Sequence, residues 1–391
     1  MSLPLAVVFA AGGTGGHLYP GLAIGQGLRA RFPDSRILFV GTKRIESRKV
    51  PEAGFAFEAI TVHGLAGGGW RRIGRKLRSL SELAVGLPLW QSLAILRRFR
   101  PEVVVGTGGY VCGPVMLAAK LCRIPTLVVE GDRHPGLSSR ALARLADAAA
   151  VACEECAQVF RSRRRGGRLW VEVVGDPIRP AILEARREEG LLALGLERDR
   201  KTLLAFGGSI GAPALNAALV DALRLLAREE WFRDGVQVLH LRGRRGDKQL
   251  SAEEAKELGL RYQAREYLDE MHLAYAAADL VLCRAGAATI AELTARGLPA
   301  LLVPWSGAAH GEQAENASFL ARAGAARVMT DGELGGEGLA SELRRLLCDG
   351  EGLAEMARRS AAVGHPEAAG RVIEMILSLA AGRTGEKPPQ P

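Results

Sequence analysis

The 391-residue chain is poor in cysteine and in aromatic residues and has no long hydrophobic run. Six cysteines at this length are typical of a reducing compartment rather than of a disulfide scaffold. An aromatic content of 5% disfavours a stacking platform for single-stranded nucleic acid. No run reaches the ~18 apolar residues of a membrane-spanning helix. The apolar start, 1–11, has no basic flank and predicts a buried strand instead of a signal peptide.

Several site motifs are also missing. The glycine loop at 12–16 departs from G-x-G-x-x-G because Leu18 stands at the last glycine position, and there is no G-x-x-x-x-G-K-[ST]. No D-x-D occurs, which disfavours a metal-chelated nucleotide sugar, and we expect neither a metal nor a cofactor. Cys153 and Cys156 form a lone C-x-x-C without a second pair at zinc spacing. We interpret them as structural cysteines, with a redox or metal site as the alternative.

What the chain has in excess is glycine, 48 residues or about 12% against a usual ~7%. The glycines cluster in loops between short apolar runs and helical segments. Continuous apolar runs predict strands that are covered on both faces, and their alternation with helices predicts parallel sheets. The predicted strands are 5–11, 36–41, 103–106, 126–130, 148–152 and 171–174, and then 203–206, 236–241, 280–283 and 300–303.

The pattern restarts halfway along the chain. The loop at 12–16 and the loop at 207–211 each follow a first strand and precede a first helix. We therefore predict an α/β protein with two Rossmann-like domains that face each other across a central cleft. The charged, turn-rich stretch 179–201 is interpreted as the connection between them.

The sharpest feature of the first half is His17, directly after four glycines in five residues. Glycine lets the backbone pass close to a ligand, and a helix N-terminus attracts anions. Ligands of open α/β sheets bind at the carboxyl ends of the strands, where His17 is predicted to lie. The alternative is a structural turn with a packed histidine. The loop 106–110 repeats the pattern after another strand, with a tight turn as its alternative.

The second half offers groups suited to a nucleotide sugar. Ser209 and the amides of 207–211 could hold a phosphate, and Arg179 could give a bidentate contact to a diphosphate. Glu292, predicted near the start of a helix, could accept hydrogen bonds from two ribose hydroxyls. Gln313 and Asn316 share a face if a helix has begun there. A surface arginine and a solvated helix charge are the alternatives for Arg179 and Glu292.

These motifs, in this order and spacing, resemble those of the MurG family, from the opening Ala11-Gly12-Gly13-Thr14-Gly15-Gly16-His17 to Gln313 and beyond. The resemblance spans nearly the whole chain. It implies a GT-B fold and the metal-independent, inverting transfer of N-acetylglucosamine (GlcNAc) from UDP-GlcNAc to lipid I, which forms lipid II. It also implies an N-terminal acceptor and membrane domain (1–178) with a returning helix (366–380), and a C-terminal donor domain (179–365). The tail 381–391 is expected to be disordered.

The family's site residues carry over position by position. The resemblance implies that His17 is a catalytic base. It implies donor contacts at Thr14, Gly15, Gly16, Arg179, Ser209, Glu292 and Gln313. Acceptor-side candidates are Gly108, Tyr110, Glu130 and Asp132.

The chain departs from the family pattern at several of these places. The family usually has His-Glu-Gln-Asn where this chain has Val129-Glu130-Gly131-Asp132. Asp176 and Ile210 stand at usual asparagine and glutamine positions, and Glu312 stands where histidine or glutamine is common. The loop after Thr42 is one residue short, which leaves Glu46 as the acidic match.

The net charge of +9 is concentrated in part between Trp70 and Arg100. Basic residues there, among them Arg71, Arg72, Arg75 and Lys76, alternate with leucine and tryptophan, as in an interfacial helix on an anionic membrane. We expect a peripheral protein on the cytoplasmic face of the inner membrane, with other cell-wall synthesis proteins as partners and no nucleic acid. A solvated face over core leucines is the alternative for this segment.

Two other functions remain open from the sequence. One is a UDP-GlcNAc 2-epimerase, which would need no membrane patch. The other is a non-catalytic nucleotide-sugar or lipid-binding paralogue, suggested by the departures at 129–132 and 210.

Overall fold

The computed structural model describes residues 4–12, 15–62, 78–133, 135, 137–162, 169–244, 248–308 and 311–383. The chain divides into two compact units. The N-terminal unit comprises Met1–Arg179 with Glu367–Pro391, and the C-terminal unit comprises Pro180–Pro366.

The N-terminal unit is built on a seven-stranded parallel sheet of order β3-β2-β1-β4-β5-β6-β7. Its strands are β1 (Ala6–Ala10), β2 (Arg36–Gly41), β3 (Ala56–Ala59), β4 (Val103–Gly106), β5 (Thr126–Glu130), β6 (Ala148–Val151) and β7 (Trp170–Val173). Its first helices are α1 (Gly15–Arg31), α2 (Glu46–Glu52), α3 (Arg78–Phe99), α4 (Cys112–Leu121), α5 (Leu137–Leu142) and α6 (Glu154–Arg161). β1, β4 and β6 are buried along their whole length, as expected for strands that helices cover on both faces.

The C-terminal unit repeats this plan with a six-stranded parallel sheet of order β10-β9-β8-β11-β12-β13. Its strands are β8 (Lys201–Phe206), β9 (Val236–Leu241), β10 (Arg261–Arg265), β11 (Leu280–Cys283), β12 (Ala300–Leu302) and β13 (Ala326–Val328). Its helices are α7 (Pro180–Glu184), α8 (Arg187–Leu194), α9 (Pro213–Leu226), α10 (Glu230–Gly235), α11 (Ala252–Glu257), α12 (Met271–Ala277), α13 (Ala287–Arg296), α14 (Glu312–Arg322), α15 (Gly336–Cys348) and α16 (Gly350–Ala362).

The last helix, α17 (Ala368–Arg383), belongs to the N-terminal unit. Its buried residues Val372, Ile373 and Ile376 share a core with α1 and the sheet. Arg371 pairs with Glu172 of β7 at 2.8 Å. The expected disorder from residue 381 is wrong for 381–383, because the helix continues to Arg383 and buries Ala380. Residues 384–391 lie outside the described part.

The two predicted Rossmann-like sheets are confirmed, but some local predictions are wrong. The stretch 179–201 is not a bare connection, since α7 and α8 form there and pack against α12. The edge strands β3, β10 and β13 were not predicted, because an edge position leaves them partly exposed and without a continuous apolar run. The first helix begins at Gly15, so His17 lies in its first turn and not in the loop before it.

Candidate active site

In the N-terminal unit, the predicted acceptor-side residues follow three neighbouring strands. β1 pairs with β4 and β4 pairs with β5, all in parallel. His17 follows β1, Gly108 follows β4 and Asp132 follows β5. Since parallel strands end at one edge of a sheet, these residues lie where open α/β folds bind ligands.

Glycine is required where the loop after β4 meets His17. Gly108 has a φ of +109°, and a Cβ there would lie 2.5 Å from His17 Cδ2. A Cβ on Gly109 would lie 1.9 Å from the carbonyl oxygen of Gly12. Thr107 Oγ1 donates a hydrogen bond to the carbonyl oxygen of His17 at 2.7 Å. The loop after β4 therefore packs against the imidazole of His17, and its Gly109 packs against Gly12.

Burial sets the charge of His17 and of Asp132. Burial lowers the pKa of His17, while the Asp132 carboxylate and a backbone hydrogen bond at Gly12 act in the opposite direction. Burial likewise raises the pKa of Asp132, and the charge of His17 opposes that shift. The net downward shift leaves His17 a neutral imidazole near pH 7, as a general base requires.

The other acceptor-side residues differ in exposure. Glu130 is buried, and its Oε1 accepts a hydrogen bond from the backbone N–H of Asp132 at 3.0 Å. Tyr110 is exposed. A Cβ on Gly131 would lie 2.9 Å from the carboxyl carbon of Asp176, so the departures at 131 and 176 are in direct contact. The small residue at 131 leaves room for the buried Asp176 carboxyl group.

Arg179 also lies at α1. Its guanidinium carbon lies 4.5 Å from the ring centroid of Tyr19, two residues after His17. This cation–π contact holds the guanidinium in a defined place. The predicted contact of Arg179 with a diphosphate stays a prediction.

Glu46 packs against the start of the first glycine loop, at Gly12. It is fully buried, and its Oε1 accepts hydrogen bonds from the backbone N–H and from Oγ1 of Thr42, at 3.0 and 2.6 Å. A Cβ on Gly12 would lie 2.7 Å from the same oxygen. Glu46 is therefore part of the loop's support.

In the C-terminal unit, the predicted donor residues also follow three neighbouring strands. β8 pairs with β11, and β11 pairs with β12. Ser209 follows β8, Glu292 lies on the helix after β11, and Gln313 lies on the helix after β12. All three are thus at the carboxyl edge of the second sheet.

The 207–211 loop is exposed from Gly208 to Ile210, and glycines allow its tight turn. Gly208 and Gly211 have φ values of +92° and +95°. A Cβ on Gly207 would lie 2.3 Å from the Cβ of Ala212. α9 then begins at Pro213 with no side-chain cap. Because proline has no N–H, the amides that could face an anion are those of the residues next to Pro213.

Glu292 lies in the second turn of α13. The helix begins at Ala287, after the Gly286 N-cap. The hydroxyl of the buried Tyr275 donates to Glu292 Oε2 at 2.9 Å. Tyr275 therefore orients this carboxylate, and the sequence alone did not indicate it, because its apolar surroundings are typical of a core residue.

Gln313 is held with a defined amide orientation. The helix α14 begins at Glu312, as the shared face of Gln313 and Asn316 required. Gln313 Oε1 accepts the backbone N–H of Trp305 at 3.0 Å. Because a backbone N–H needs an acceptor, the Nε2 of Gln313 is the end left to donate to a ligand.

An ion pair fixes the loop that precedes α14. Arg284 Nη1 donates to the carbonyl oxygen of Val303 at 3.0 Å and to Asp331 Oδ1 at 2.6 Å. Asp331 Oδ2 accepts the backbone N–H and Oγ of Ser306 at 3.0 and 2.7 Å. The sequence analysis missed Asp331, because nothing local links it to Arg284, 47 residues earlier.

Several predicted features are only partly described. Thr14 and the basic residues Arg71, Arg72, Arg75 and Lys76 lie outside the described residues. Gly15 and Gly16 form the start of α1. Cys153 and Cys156 are buried free thiols whose pKa values burial raises, which supports the structural interpretation.

The described part of α3 carries an exposed apolar stripe. Leu87 and Trp90 are 47% and 68% exposed, and the exposed Arg97 and Arg98 follow Trp90 about two helical turns later. Leu96, on the opposite side, belongs to the core. Among the helices of the described residues, none has the length and apolar character needed to cross a bilayer. The same residues contain no group of three His, Cys, Asp or Glu side chains placed to hold a metal.

Comparison with protein families places both units. Residues 7–151 match the glycosyltransferase family 28 N-terminal domain, and residues 202–372 match the family 28 C-terminal domain. Together with the two parallel sheets, these matches confirm the predicted GT-B fold class.

Two curated relatives carry the same name, UDP-N-acetylglucosamine--N-acetylmuramyl-(pentapeptide) pyrophosphoryl-undecaprenol N-acetylglucosamine transferase. The protein from Desulforamulus reducens is 40% identical over 389 residues, which cover 96% of this chain and 99% of the relative. The protein from Desulforudis audaxviator is 42% identical over 385 residues, with coverage of 96% and 99%.

Solved structures agree with this placement. MurG from Acinetobacter baumannii is 28% identical with a TM-score of 0.70, and the match covers 96% of this chain and 99% of that one. A UDP-N-acetylglucosamine 2-epimerase is 16% identical with a TM-score of 0.67 and 98% coverage of both chains, a likeness of fold alone. On the identity to its curated relatives over almost its entire length, the chain belongs to the MurG family of N-acetylglucosamine transferases, within glycosyltransferase family 28.

Proposed function

We propose that this glycosyltransferase moves GlcNAc from UDP-GlcNAc to the muramoyl 4-hydroxyl of lipid I and so forms lipid II. The observation that carries the proposal is the 40% identity, over 96% of the chain, to a transferase named for this reaction. The placement of His17, Glu292 and Gln313 at the carboxyl edges of their sheets supports it.

The acceptor hydroxyl would lose its proton to His17. A neutral, buried imidazole can accept that proton, and its close contact with the loop after β4 limits its motion. Asp132 would stabilise the imidazolium that forms, since its charge raises the pKa of His17. The oxygen would then displace UDP directly, with inversion at the anomeric carbon.

The donor would be bound by the C-terminal unit. Glu292 would accept hydrogen bonds from the ribose hydroxyls, and the Nε2 amide of Gln313 would donate to a sugar hydroxyl. Charge that develops on the leaving diphosphate would be stabilised by the amides of 207–211 at the start of α9 and by Arg179, which belongs to the N-terminal unit. This set needs no metal ion.

The acceptor lipid suggests a membrane-bound site of action, and α3 is the element that we assign to it. The exposed Leu87 and Trp90 would enter the interface, with Arg97 near anionic headgroups. We therefore propose peripheral binding at the cytoplasmic face of the inner membrane, where other cell-wall synthesis proteins would be partners.

A transfer assay tests the proposal against the epimerase alternative. Purified protein is incubated with UDP-GlcNAc and a short-chain lipid I analogue, and the products are separated and identified by mass spectrometry. We expect a product that contains one added N-acetylhexosamine, formed only when the acceptor is present. Conversion of UDP-GlcNAc to its 2-epimer without acceptor, or the absence of any turnover, would contradict the proposal.

A further inference from the structure

A buried chain of polar side chains in the C-terminal unit has no place in the reaction described above. His240 of β9 and Asn216 of α9 are fully buried, and Tyr262 of β10 is partly buried. His240 Nδ1 lies 2.8 Å from Tyr262 Oη, and His240 Nε2 lies 3.1 Å from Asn216 Oδ1. Asn216 Nδ2 donates to the carbonyl oxygen of Arg242 at 2.9 Å.

The direction of every hydrogen bond in this chain follows by elimination. The carbonyl oxygen of Arg242 can only accept, so the amide nitrogen of Asn216 faces it and Oδ1 faces His240. His240 Nε2 must then carry the proton. Burial, with a smaller effect of the Arg242 charge, lowers the pKa of His240 to about 4, and the ring is neutral at pH 7. Nδ1 is therefore an acceptor, and the Tyr262 hydroxyl donates to it.

The segment 242–244, whose first carbonyl Asn216 binds, contacts the glycine loop at 207–211. Gly243 has a φ of +77°, and a Cβ there would lie 2.3 Å from the backbone nitrogen of Gly211. The backbone N–H of Arg244 donates to the carbonyl oxygen of Ser209 at 3.3 Å. The segment 242–244 thus forms one wall of the loop, and Asn216 fixes its first carbonyl.

We propose that Tyr262, His240 and Asn216 are positioning residues that hold the 207–211 loop in the form that binds a nucleoside diphosphate. The inference rests on the proposed function, because it takes this loop as the donor phosphate site. Hydrogen bonds between these three side chains connect the edge strand β10 through β9 to α9.

The test compares UDP binding by three variants of the full chain, measured by calorimetry. Tyr262→Phe removes only the terminal hydroxyl, and Asn216→Asp replaces the donor to Arg242 by an oxygen that repels its carbonyl group. Gln237→Met is the matched control, because Gln237 is a buried, hydrogen-bonded residue at the opposite end of β9, with partners at Glu197 and Thr202.

We expect Tyr262→Phe to weaken UDP binding about threefold to tenfold and Asn216→Asp to weaken it more, as loss of one or more hydrogen bonds implies. Gln237→Met should lose thermal stability but bind UDP like the wild type. Equal UDP affinity of Tyr262→Phe and wild type would overturn the inference and leave the proposed function intact. Failure of the wild type to bind UDP would overturn both.

A spectroscopic measurement tests the hydrogen bonds of Tyr262, His240 and Asn216 independently of any ligand. Nitrogen chemical shifts of His240 at pH 7 should show a neutral ring protonated at Nε2, and in Tyr262→Phe the Nδ1 signal should move because its donor is gone. A ring protonated at Nδ1 in the wild type would overturn the assigned direction and with it the proposal.

Discussion

At the residue scale, the type and place of the candidate ligand-binding residues could be predicted, but the residues that orient them could not. Glu292 and Gln313 follow strands in the sequence, and the carboxyl edge of a parallel sheet is where such residues bind ligands. Tyr275 and Asp331 became visible only in three dimensions, because their partners Glu292 and Arg284 are distant in sequence. The pairing of Gly131 with Asp176 was likewise hidden, since only the space taken by the Asp176 carboxyl group explains the glycine.

The Glu292 contact predicts a donor-specific defect. Glu292→Ala should raise the KM for UDP-GlcNAc by an amount equivalent to roughly 1.5–3 kcal/mol per lost hydrogen bond, with little change for the acceptor. Tyr275→Phe should raise the donor KM severalfold, because the carboxylate loses the hydroxyl that orients it. Steady-state kinetics with each substrate varied measure both effects. The exposed Glu257→Ala is the control, and an unchanged donor KM in Glu292→Ala would refute the assignment.

His17 as the base predicts both a rate and a pH effect. His17→Ala should reduce kcat by about 10²–10⁴ with near-normal donor binding. Since burial lowers the pKa of His17, the acidic limb of kcat/KM against pH should lie below 6.5 in the wild type.

Asp132→Asn tests whether the acidic limb of the pH profile belongs to His17. The Asp132 carboxylate raises the pKa of His17, so its removal should move the limb to lower pH. Asparagine has nearly the size and shape of aspartate, and activity should survive. A limb that moves to higher pH, or a His17→Ala enzyme with normal kcat and weakened donor binding, would show that His17 is structural.

At the element scale, burial decided which strands could be recognised. β1 and β4 are buried throughout and read as continuous apolar runs, whereas the edge strand β10, Arg261–Arg265, is mostly polar. α1 begins at Gly15, five residues before Pro20, although proline is common as the first residue of a helix. Within the described part of the predicted basic segment, α3 has a core side with Leu96 and an exposed side with Trp90.

The exposed side of α3 predicts a membrane-binding defect. Leu87→Ala combined with Trp90→Ala should weaken binding to anionic vesicles and raise the KM for a long-chain lipid acceptor, because apolar burial in the interface is lost. Turnover of a short-chain, water-soluble acceptor should stay near normal. Vesicle flotation and kinetics with both acceptors measure this.

Leu192→Ala is the control for α3, since Leu192 is an 85% exposed leucine of the C-terminal unit. It should float with vesicles like the wild type. Equal flotation of the α3 variant and the wild type, or equal loss of activity on both acceptors, would show that α3 does not contact the membrane.

At the scale of the whole molecule, two similar halves were evident from the repeated strand, glycine loop and helix. The stretch 179–201 was misjudged because its many charges suggested a linker, although Leu191 and Leu194 of α8 are buried beneath them. The fold also buries ionisable groups, and burial changes their pKa. His240 is the clearest case.

His240 predicts a loss of stability in mild acid. Its pKa is about 4 in the folded chain, against an ordinary value of 6.5, so the unfolded chain binds a proton first as the pH falls. The stabilisation is complete above pH 6.5 and declines by about 3 kcal/mol as the pH falls to about 4. Urea unfolding at pH 7 and pH 4.5 should show a smaller pH dependence for His240→Gln than for the wild type. An equal dependence would mean that His240 is accessible to protons in the folded chain.

The central claim is a metal-independent, inverting transfer of GlcNAc to lipid I, and one measurement addresses all of it. Enzyme, UDP-GlcNAc and a short-chain lipid I analogue are incubated in excess EDTA, and the linkage in the product is determined by NMR. Because Arg179 and the loop amides are assigned to the leaving diphosphate, the account predicts undiminished formation of a product with GlcNAc in β linkage to the muramoyl 4-hydroxyl. An α linkage, attachment at another hydroxyl, or activity that is abolished by EDTA and restored by Mg²⁺ or Mn²⁺ would contradict it.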